Sequence, residues 1–499
     1  MIGTMTLGDD AAYLALKTHD ARFDGRLFVG VRSTGVYCRP VCRVRTPLRR
    51  NCRFFANAAS AEGAGFRPCL RCRPELAPGL SLADSSAVLA QQAARWIERS
   101  ARSGADLPMP ALAARLGVTD RHLRRIFRSE HGVTPIAYLA TQRLLLAKQL
   151  LTDTAMPVTQ VALASGHGSV RRFNAAFAAQ YRMTPSQLRT RASVAGSATR
   201  AAAEPPLLRL AYRPPYDHAG LLGFLALRAL PRSEAVDGLE LRRTLRWPLA
   251  ADTREPAGAE LQGWLRCRFV PERHELHVTL APALLPAAGA ILLQLRSAFD
   301  LDADPALIDP VLATLPAPPR PGLRLPGAID GFETAARIVL GQQVTVAAAR
   351  TLAGRLAADL GDAVATPWSG IDRLFPGAAA IAAADPQRIG RLGIVRRRVA
   401  ALQALAHAVA EGRIALHPAA PLEPTLAALR ALPGIGEWTA QMIAMRVLGW
   451  PDAFPASDLG VLCALGTRDA AAAAEQAAAW RPWRAYAVLR LWQTLETPT

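Results

Sequence analysis

Two groups of residues have the types and spacing to do chemistry. Cys38 and Cys42 are separated by three residues and Cys69 and Cys72 by two, with twenty-six residues between the pairs. Four thiols in two close pairs match the ligands of tetrahedral structural zinc, and the competing readings are two disulfides or chance. The second group is Leu432-Pro-Gly-Ile-Gly436, followed about twenty residues later by Asp458 at the end of Phe454-Pro-Ala-Ser-Asp. Gly434 and Gly436 permit a tight turn whose backbone can approach a phosphate closely, and a helix starting at Glu437 would aim free N–H groups at the same place. A Pro-Gly turn that merely ends a helix is the plainer alternative.

Lysine is nearly absent: Lys17 and Lys148 are the two in the chain. Schiff-base chemistry beyond residue 148 is therefore excluded, apart from a free terminal amine. Cys52, Cys267 and Cys463 stand outside the pairs and are expected as small buried apolar residues.

The elements that must position these groups follow from composition. At 499 residues the chain exceeds one core and should form three or four domains. Its formal net charge is +19, and residues 1–190 hold 27 Lys and Arg against 12 Asp and Glu, which is +15 in that part alone. Such a bias points to nucleic acid, with an Arg-rich solvated surface as the bland reading. The most apolar runs, Gly220 to Leu227 and Ile291 to Leu295, stop short of the ~20 residues a bilayer needs. The N-terminus, with Asp9, Asp10 and Lys17, has no signal-peptide h-region, so a soluble cytoplasmic protein with no membrane partner is expected.

Residues 1–80 hold five of the seven cysteines, and residues 84–190 read as helices at 3.6 periodicity broken at Ser103-Gly104, His131-Gly132 and Gly166-His167-Gly168. Residues 191–206 form a low-complexity linker. Within 207–300, Leu239–Trp247, Leu261–Val270 and Glu275–Leu280 alternate as strands of a small antiparallel sheet, and 301–499 is Ala/Leu-rich and helical. The expected fold class is multidomain α+β: a small zinc domain, an all-α double helix-turn-helix, a small sheet domain and an all-α C-terminal domain.

Within the helical block, Met109 to Phe127 places a helix, a turn at Gly117 and a second helix in sequence. Leu112, Leu116, Val118, Leu123 and Phe127 can close a small core, leaving Asp120, Arg121, Arg124 and Arg128 outward. Pro157 to Phe177 is a second copy, and a helix around Tyr138 to Leu151 joins the two. Arg121, Arg124, Arg171 and Arg172 are candidate base readers, each equally a phosphate contact or a solvated face.

Val31-Arg-Ser-Thr-Gly-Val-Tyr-Cys-Arg-Pro-Val-Cys42, Asn51-Cys-Arg-Phe-Phe55 and Gly65-Phe-Arg-Pro-Cys-Leu-Arg-Cys72 resemble the N-terminal domain of the Ada family, which repairs methylphosphotriesters in DNA. The resemblance implies that Cys38 is both zinc ligand and methyl acceptor, beside the reading of a zinc-stapled DNA-binding module without transfer chemistry. The doubled helical unit, with Gly166-His-Gly-Ser169 and Phe173-Asn-Ala-Ala-Phe177, resembles the AraC family of transcriptional activators, which implies promoter DNA and RNA polymerase as partners.

A hairpin followed at this distance by an aspartate resembles the helix-hairpin-helix glycosylase superfamily. Tyr212-Arg-Pro-Pro-Tyr-Asp217, Leu222-Gly-Phe-Leu225, Arg320-Pro-Gly-Leu-Arg-Leu-Pro-Gly327, Ile338-Val-Leu-Gly-Gln-Gln343 and Trp480-Arg-Pro-Trp-Arg-Ala-Tyr486 narrow it to the AlkA type of 3-methyladenine glycosylase, over nearly all of residues 207–495. That resemblance implies base flipping in alkylated double-stranded DNA, Asp458 as catalytic carboxylate, and Trp438 and Trp492 in the base pocket, where core packing is the alternative for either indole. Gly434 and Gly436 would meet DNA phosphate, and Gln343 matches the residue that fills the gap left by the flipped base. Met442 stands where the family has a pocket tyrosine and Ser457 where it has a second acid, which puts the substrate range in doubt. Bifunctional members carry a lysine two residues after the hairpin's last glycine; Trp438 stands there, so a monofunctional glycosylase is expected. The rival class is a transcriptional regulator whose C-terminal half binds damage passively. No Pro-Cys-His-Arg segment of an alkylguanine transferase occurs.

Overall fold

The computed structural model describes residues 9–19, 27–40, 42, 44–55, 61, 64–69, 72, 89–90, 93–94, 96–98, 100–101, 108–154, 156–194, 207–248, 260–418 and 420–496. The expected turn at Ser103-Gly104 and residues 195–206 of the expected linker lie outside the described residues. Two units form, residues 1–145 with 476–482, and residues 146–475 with 483–499.

In the first unit, α1 (Asp9–Lys17) precedes β1 (Phe28–Val31), β2 (Val36–Cys38), β3 (Cys52–Phe55) and β4 (Arg67–Pro68), which form one sheet in the order β3-β1-β2-β4. β1 pairs antiparallel with both neighbours, so Val29 faces Cys38 on one side and Phe54 on the other, while β2 and β4 run parallel. Next come α2 (Met109–Arg115) and α3 (Asp120–His131), the first helix-turn-helix unit. Thr119 caps α3 by accepting from the His122 N–H at 3.2 Å, and Gly132 ends the helix at φ 73°, a left-handed conformation that suits glycine. Leu112, Leu116, Leu123, Ile126 and Phe127 are buried together with Leu89 and Ile97. α4 (Pro135–Asp153) follows and carries the chain across the division between residues 145 and 146.

The second unit contains the other helix-turn-helix copy, α5 (Val158–Ala164) and α6 (Val170–Tyr181), then α7 (Pro185–Val194). α6 is capped by Ser169 and buries Phe173 and Phe177. α7 runs to Val194, into the segment expected as linker, because Arg191-Ala-Ser-Val contains no helix breaker.

β5 (Leu207–Ala211), α8 (His218–Arg228), β6 (Glu234–Asp237), β7 (Glu240–Pro248), β8 (Glu260–Val270) and β9 (Glu275–Leu280) build a sheet of order β5-β9-β8-β7-β6 with antiparallel neighbours throughout. The three anticipated strands are present within a residue of their expected ends, and Leu276, Val278 and Leu280 are fully buried as their alternation requires. β5 and β6 were not anticipated: β6 has little apolar alternation of its own, and β5, which does alternate with Leu208 and Leu210 buried, is only five residues long.

The remaining helices are α9 (Ala288–Ala298), α10 (Pro305–Leu312), α11 (Gly331–Leu340), α12 (Val346–Leu360), α13 (Ala378–Ala383), α14 (Pro386–Arg391), α15 (Arg396–Ala410), α16 (Leu422–Arg430), α17 (Glu437–Arg446), α18 (Leu459–Ala464), α19 (Ala470–Gln476) and α20 (Arg484–Glu496). α11 packs against α15 and α17, and α18 against α20. A buried ion network ties the sheet to α11: Arg243 meets Glu333 at 2.5 Å and Glu234 at 3.4 Å, and Arg337 meets Glu234 at 2.8 Å and Glu333 at 2.9 Å. Each charge there has an opposite partner, as burial demands. No helix among the described residues is long and apolar enough to cross a membrane.

Candidate functional site

The sheet of the first unit assembles the cysteine cluster. Cys38 ends β2, and the parallel pairing of β4 with β2 brings Cys69 beside it, with the Cys69 N–H donating to the Tyr37 carbonyl at 3.0 Å. The four Sγ atoms of Cys38, Cys42, Cys69 and Cys72 lie within 4.8 Å of one another, and all four residues are buried. Tetrahedral ZnS₄ with bonds of about 2.3 Å puts sulfurs roughly 3.8 Å apart, so this set fits zinc. Hydrogen bonding with Cys42 and Cys72, then burial, pushes the Cys38 thiol far above its ordinary value, a penalty that a divalent cation removes. The Arg39 N–H points at Cys72 Sγ from 3.5 Å, a further donor for a thiolate. Zinc is the ion this cluster holds, and disulfides are absent among the described cysteines. Cys52 and Cys267 are buried as expected, but Cys463 is exposed: α18 buries Val461, and a residue two positions on points away from that face.

In the helix-turn-helix copies, Arg121, Arg124, Arg171 and Arg172 are all exposed. Arg124 pairs with Asp120 at 2.8 Å along α3. Their side chains are therefore available to a polyanion, Arg124 in exchange for its intrahelical partner.

The C-terminal site is built by three helices and a hairpin. Between α16 and α17 the chain turns through Leu432-Pro-Gly-Ile-Gly436, with Gly434 at φ 77° and its would-be Cβ only 2.8 Å from the Ala401 Cβ. No side chain could be accommodated there. At Gly436, by contrast, an added Cβ would meet nothing within 4 Å, and this exposed residue is the N-cap of α17 with no side chain to cap it, so the first N–H groups of that helix receive no side-chain cap. Gln342 locks the neighbouring turn onto this hairpin, since its Nε2 donates to the Gly434 carbonyl and to Thr439 Oγ1, both at 2.9 Å. Gln343, next in line, is exposed and held at φ 53°, a conformation a non-glycine residue adopts only when its surroundings impose it.

Asp458 is the N-cap of α18, where its Oδ1 accepts from the Val461 N–H at 3.1 Å. Oδ1 also accepts from Trp492 Nε1 at 2.8 Å, and Oδ2 accepts from Trp438 Nε1 at 2.9 Å. Both predicted pocket indoles thus meet the predicted carboxylate, and all three residues are half-buried rather than core. Oδ2 keeps a lone pair for a ligand or water. Trp492 is placed by α20, which is anchored by Arg484 donating to both carboxylate oxygens of buried Asp452 at 2.8 and 2.9 Å, and by Arg490 donating to the Leu312 and Pro318 carbonyls at 2.6 and 2.8 Å.

Sequence reasoning missed Phe224 of α8. Its ring lies nearly parallel to Trp492, at 14° with centroids 6.3 Å apart, and the guanidiniums of Arg228 and Arg446 lie 3.6 and 4.6 Å from its centroid. The Leu222-Gly-Phe-Leu225 segment was the available signal. Gly460 was missed too: a Cβ there would come within 2.9 Å of Trp492, so only glycine lets that indole reach Asp458. Met442 is buried one helical turn beyond Trp438, and Ser457 is exposed.

Four family descriptions match the chain: the metal binding domain of Ada over residues 11–75, a helix-turn-helix domain over 112–191, the AlkA N-terminal domain over 207–330, and the HhH-GPD superfamily base excision DNA repair protein over 336–478. A Mycobacterium tuberculosis protein named probable bifunctional transcriptional activator/DNA repair enzyme AlkA is 38% identical, covering 98% of this chain and 97% of its own length. The DNA-3-methyladenine glycosylase 2 of Escherichia coli is 36% identical over 57% of this chain and 96% of its own. The E. coli bifunctional transcriptional activator/DNA repair enzyme Ada is 37% identical over 26% of this chain and 35% of its own.

Proposed function

Because the chain belongs to the family of AlkA-type bifunctional transcriptional activator/DNA repair enzymes, we propose that it excises alkylated bases from double-stranded DNA and activates genes in response to the same damage. It is a DNA glycosylase with an Ada-type zinc domain and an AraC-type helix-turn-helix. Its division of labour is proposed as residues 1–80 for zinc and methyl acceptance, 84–190 for promoter DNA, the part of 191–206 beyond Val194 as linker, 207–300 as an AlkA-like α/β domain and 301–499 as the glycosylase.

The observation that carries the reading is the carboxylate of Asp458, held by two indole N–H groups and a backbone N–H, with a lone pair remaining on Oδ2. A flipped, methylated purine is cationic and departs readily, so the enzyme's task is to stabilise the sugar as positive charge grows on it. A fixed carboxylate does this without reorganising during the reaction, and Oδ2 can also orient the attacking water. Trp438 and Trp492 offer electron-rich faces to a cationic base. The uncapped N–H groups beyond Gly434 and Gly436 bind phosphate, and Gln343 fills the space the base vacates. With no lysine after Lys148, the product is an abasic site in an unbroken strand.

At the N-terminal site, zinc keeps the sulfurs ionised at neutral pH. Cys38 Sγ then attacks the methyl carbon of a phosphotriester; the S–C bond forms, the C–O bond breaks, and an ordinary phosphodiester leaves. The cluster loses one negative charge, which lowers its repulsion from DNA and lets methylation strengthen promoter binding by Arg121, Arg124, Arg171 and Arg172. RNA polymerase is the partner such an activator needs, and the cytoplasm its place. Cys38→Ser should abolish methyl uptake from alkylated DNA, and unchanged uptake would leave only a zinc-stapled binding module. For the glycosylase, release of 3-methyladenine from methylated duplex should proceed without borohydride-trappable protein–DNA adducts, and a trapped adduct would contradict the monofunctional mechanism.

A further inference from the structure

A groove of about 480 Å³ lies along the outer face of α12, away from the Asp458 site. Leu352, Ala353, Leu356 and Ala357 bury the inner face of that helix, which leaves 347, 350, 351, 354, 355 and 358 as one exposed stripe at helical spacing. Its floor is made of small residues, Ala347, Gly354 and Ala358, and its walls carry Arg232, Arg350, Arg355 and Arg373. Four guanidiniums meet one acid: Asp372 pairs with Arg232 at 2.6 Å. The other nearby acids are engaged elsewhere, Asp359 with Arg388 and Asp362 with Arg246. Arg350 has no partner among the described residues, Arg355 is held by donating to the Leu392 carbonyl at 3.1 Å, and Arg373 donates from Nη1 to the Gly361 carbonyl at 3.1 Å while its buried Nε makes no hydrogen bond. An uncompensated cluster of guanidiniums around a small-residue floor is a cradle for phosphate.

Hydrogen bonds tie the groove to the turn beside the hairpin. The segment 392–398 holds Arg355 through Leu392 at one end, and at the other Arg398 donates to the Gln342 carbonyl at 2.5 Å, beside the turn that carries Gln343. Arg396 and Arg397, between them, are exposed. α12 itself starts three residues after Gln343, so Arg355 stands about 14 Å along the helix from Val346, roughly four base-pair steps.

Resting on the reading of the C-terminal half as a DNA glycosylase, we propose that this groove is a second phosphate-binding site, one that grips the backbone of the duplex flanking the lesion. It takes no part in the chemistry at Asp458. It lengthens the footprint on DNA and adds salt-sensitive affinity.

The test uses the full chain and its Arg350→Glu/Arg355→Glu variant, with Arg350→Gln as a milder control should the double variant misfold. Two series of duplexes carry one methylated base, trimmed progressively on either side of it. On long duplexes the half-saturating DNA concentration for base release should rise about tenfold in the double variant, and the slope of log affinity against log salt should fall by about 1 to 2. On duplexes trimmed to within two base pairs of the lesion on the groove side, wild type and variant should coincide, and the saturating rate of base release should be equal throughout. Equal half-saturation on long duplexes, or the same deficit on trimmed ones, would overturn the proposal. Anisotropy titrations of the same duplexes read the groove whether or not base is released, so failure of the glycosylase reading stays separate from failure of this one.

Discussion

At Asp458 the two carboxylate oxygens are unequal. Oδ1 is occupied by the Val461 and Trp492 N–H groups, while Oδ2 has the Trp438 indole alone. This makes substitutions informative. Asparagine caps helices about as well as aspartate but offers a single acceptor oxygen, so Asp458→Asn keeps the cap, removes the charge and turns an amide NH2 toward the Trp438 N–H, at a cost of about 1.5–3 kcal/mol. Loss of preorganised stabilisation of this kind costs about 10²- to 10³-fold in the chemical step, measurable by single-turnover base release. Trp438→Phe and Trp492→Phe keep a ring but delete a hydrogen bond to a charged acceptor, worth about 1.5–3 kcal/mol, and each should slow release by roughly 10- to 100-fold. An unchanged rate in either would mean that indole only packs. Asp458 and both tryptophans were legible in sequence because they lie in or near recognisable segments. Phe224 and Gly460 were not: the first reaches Trp492 from a helix more than 250 positions away in the chain, and the second matters only through a close approach that no spacing reveals.

The helices that hold these side chains depend on buried charge. α20 is fixed by the Arg484–Asp452 pair, in which Asp452 is fully buried and Arg484 is 5% exposed. Arg484→Ala strands a buried carboxylate, so it should cost about 3–5 kcal/mol of stability in denaturant titration and loosen Trp492; a loss under 1 kcal/mol would show the anchor to be incidental. The Arg243–Glu333–Arg337–Glu234 network plays the same part between sheet and α11. Helices with clear periodicity and strands with clean alternation were readable, as β9 shows with Leu276, Val278 and Leu280. β5 and β6 were not, because so short a strand is specified by the partner it pairs with rather than by its own pattern. Cys463 was misplaced for a related reason: α18 is a six-residue helix that buries a single side chain, so apolar character did not imply burial.

Across the molecule, the charge of the first 190 residues serves DNA binding by the zinc and helix-turn-helix parts, whereas the glycosylase part is more evenly balanced and carries exposed arginines on α12 and at the start of α15. The two proposed chemistries use separate residues, Cys38 and Asp458. Stripping zinc with a strong chelator should abolish methyl uptake yet leave the saturating rate of base release unchanged; loss of both would mean that the cysteine cluster supports the glycosylase as well. The account stands on one carboxylate turning damage binding into catalysis. Its most direct test is release of 3-methyladenine from a methylated duplex by the wild type and by Asp458→Asn, with DNA binding measured alongside: the account predicts release by the wild type alone and similar binding by both, and release by neither protein, or by both at the same rate, would contradict it.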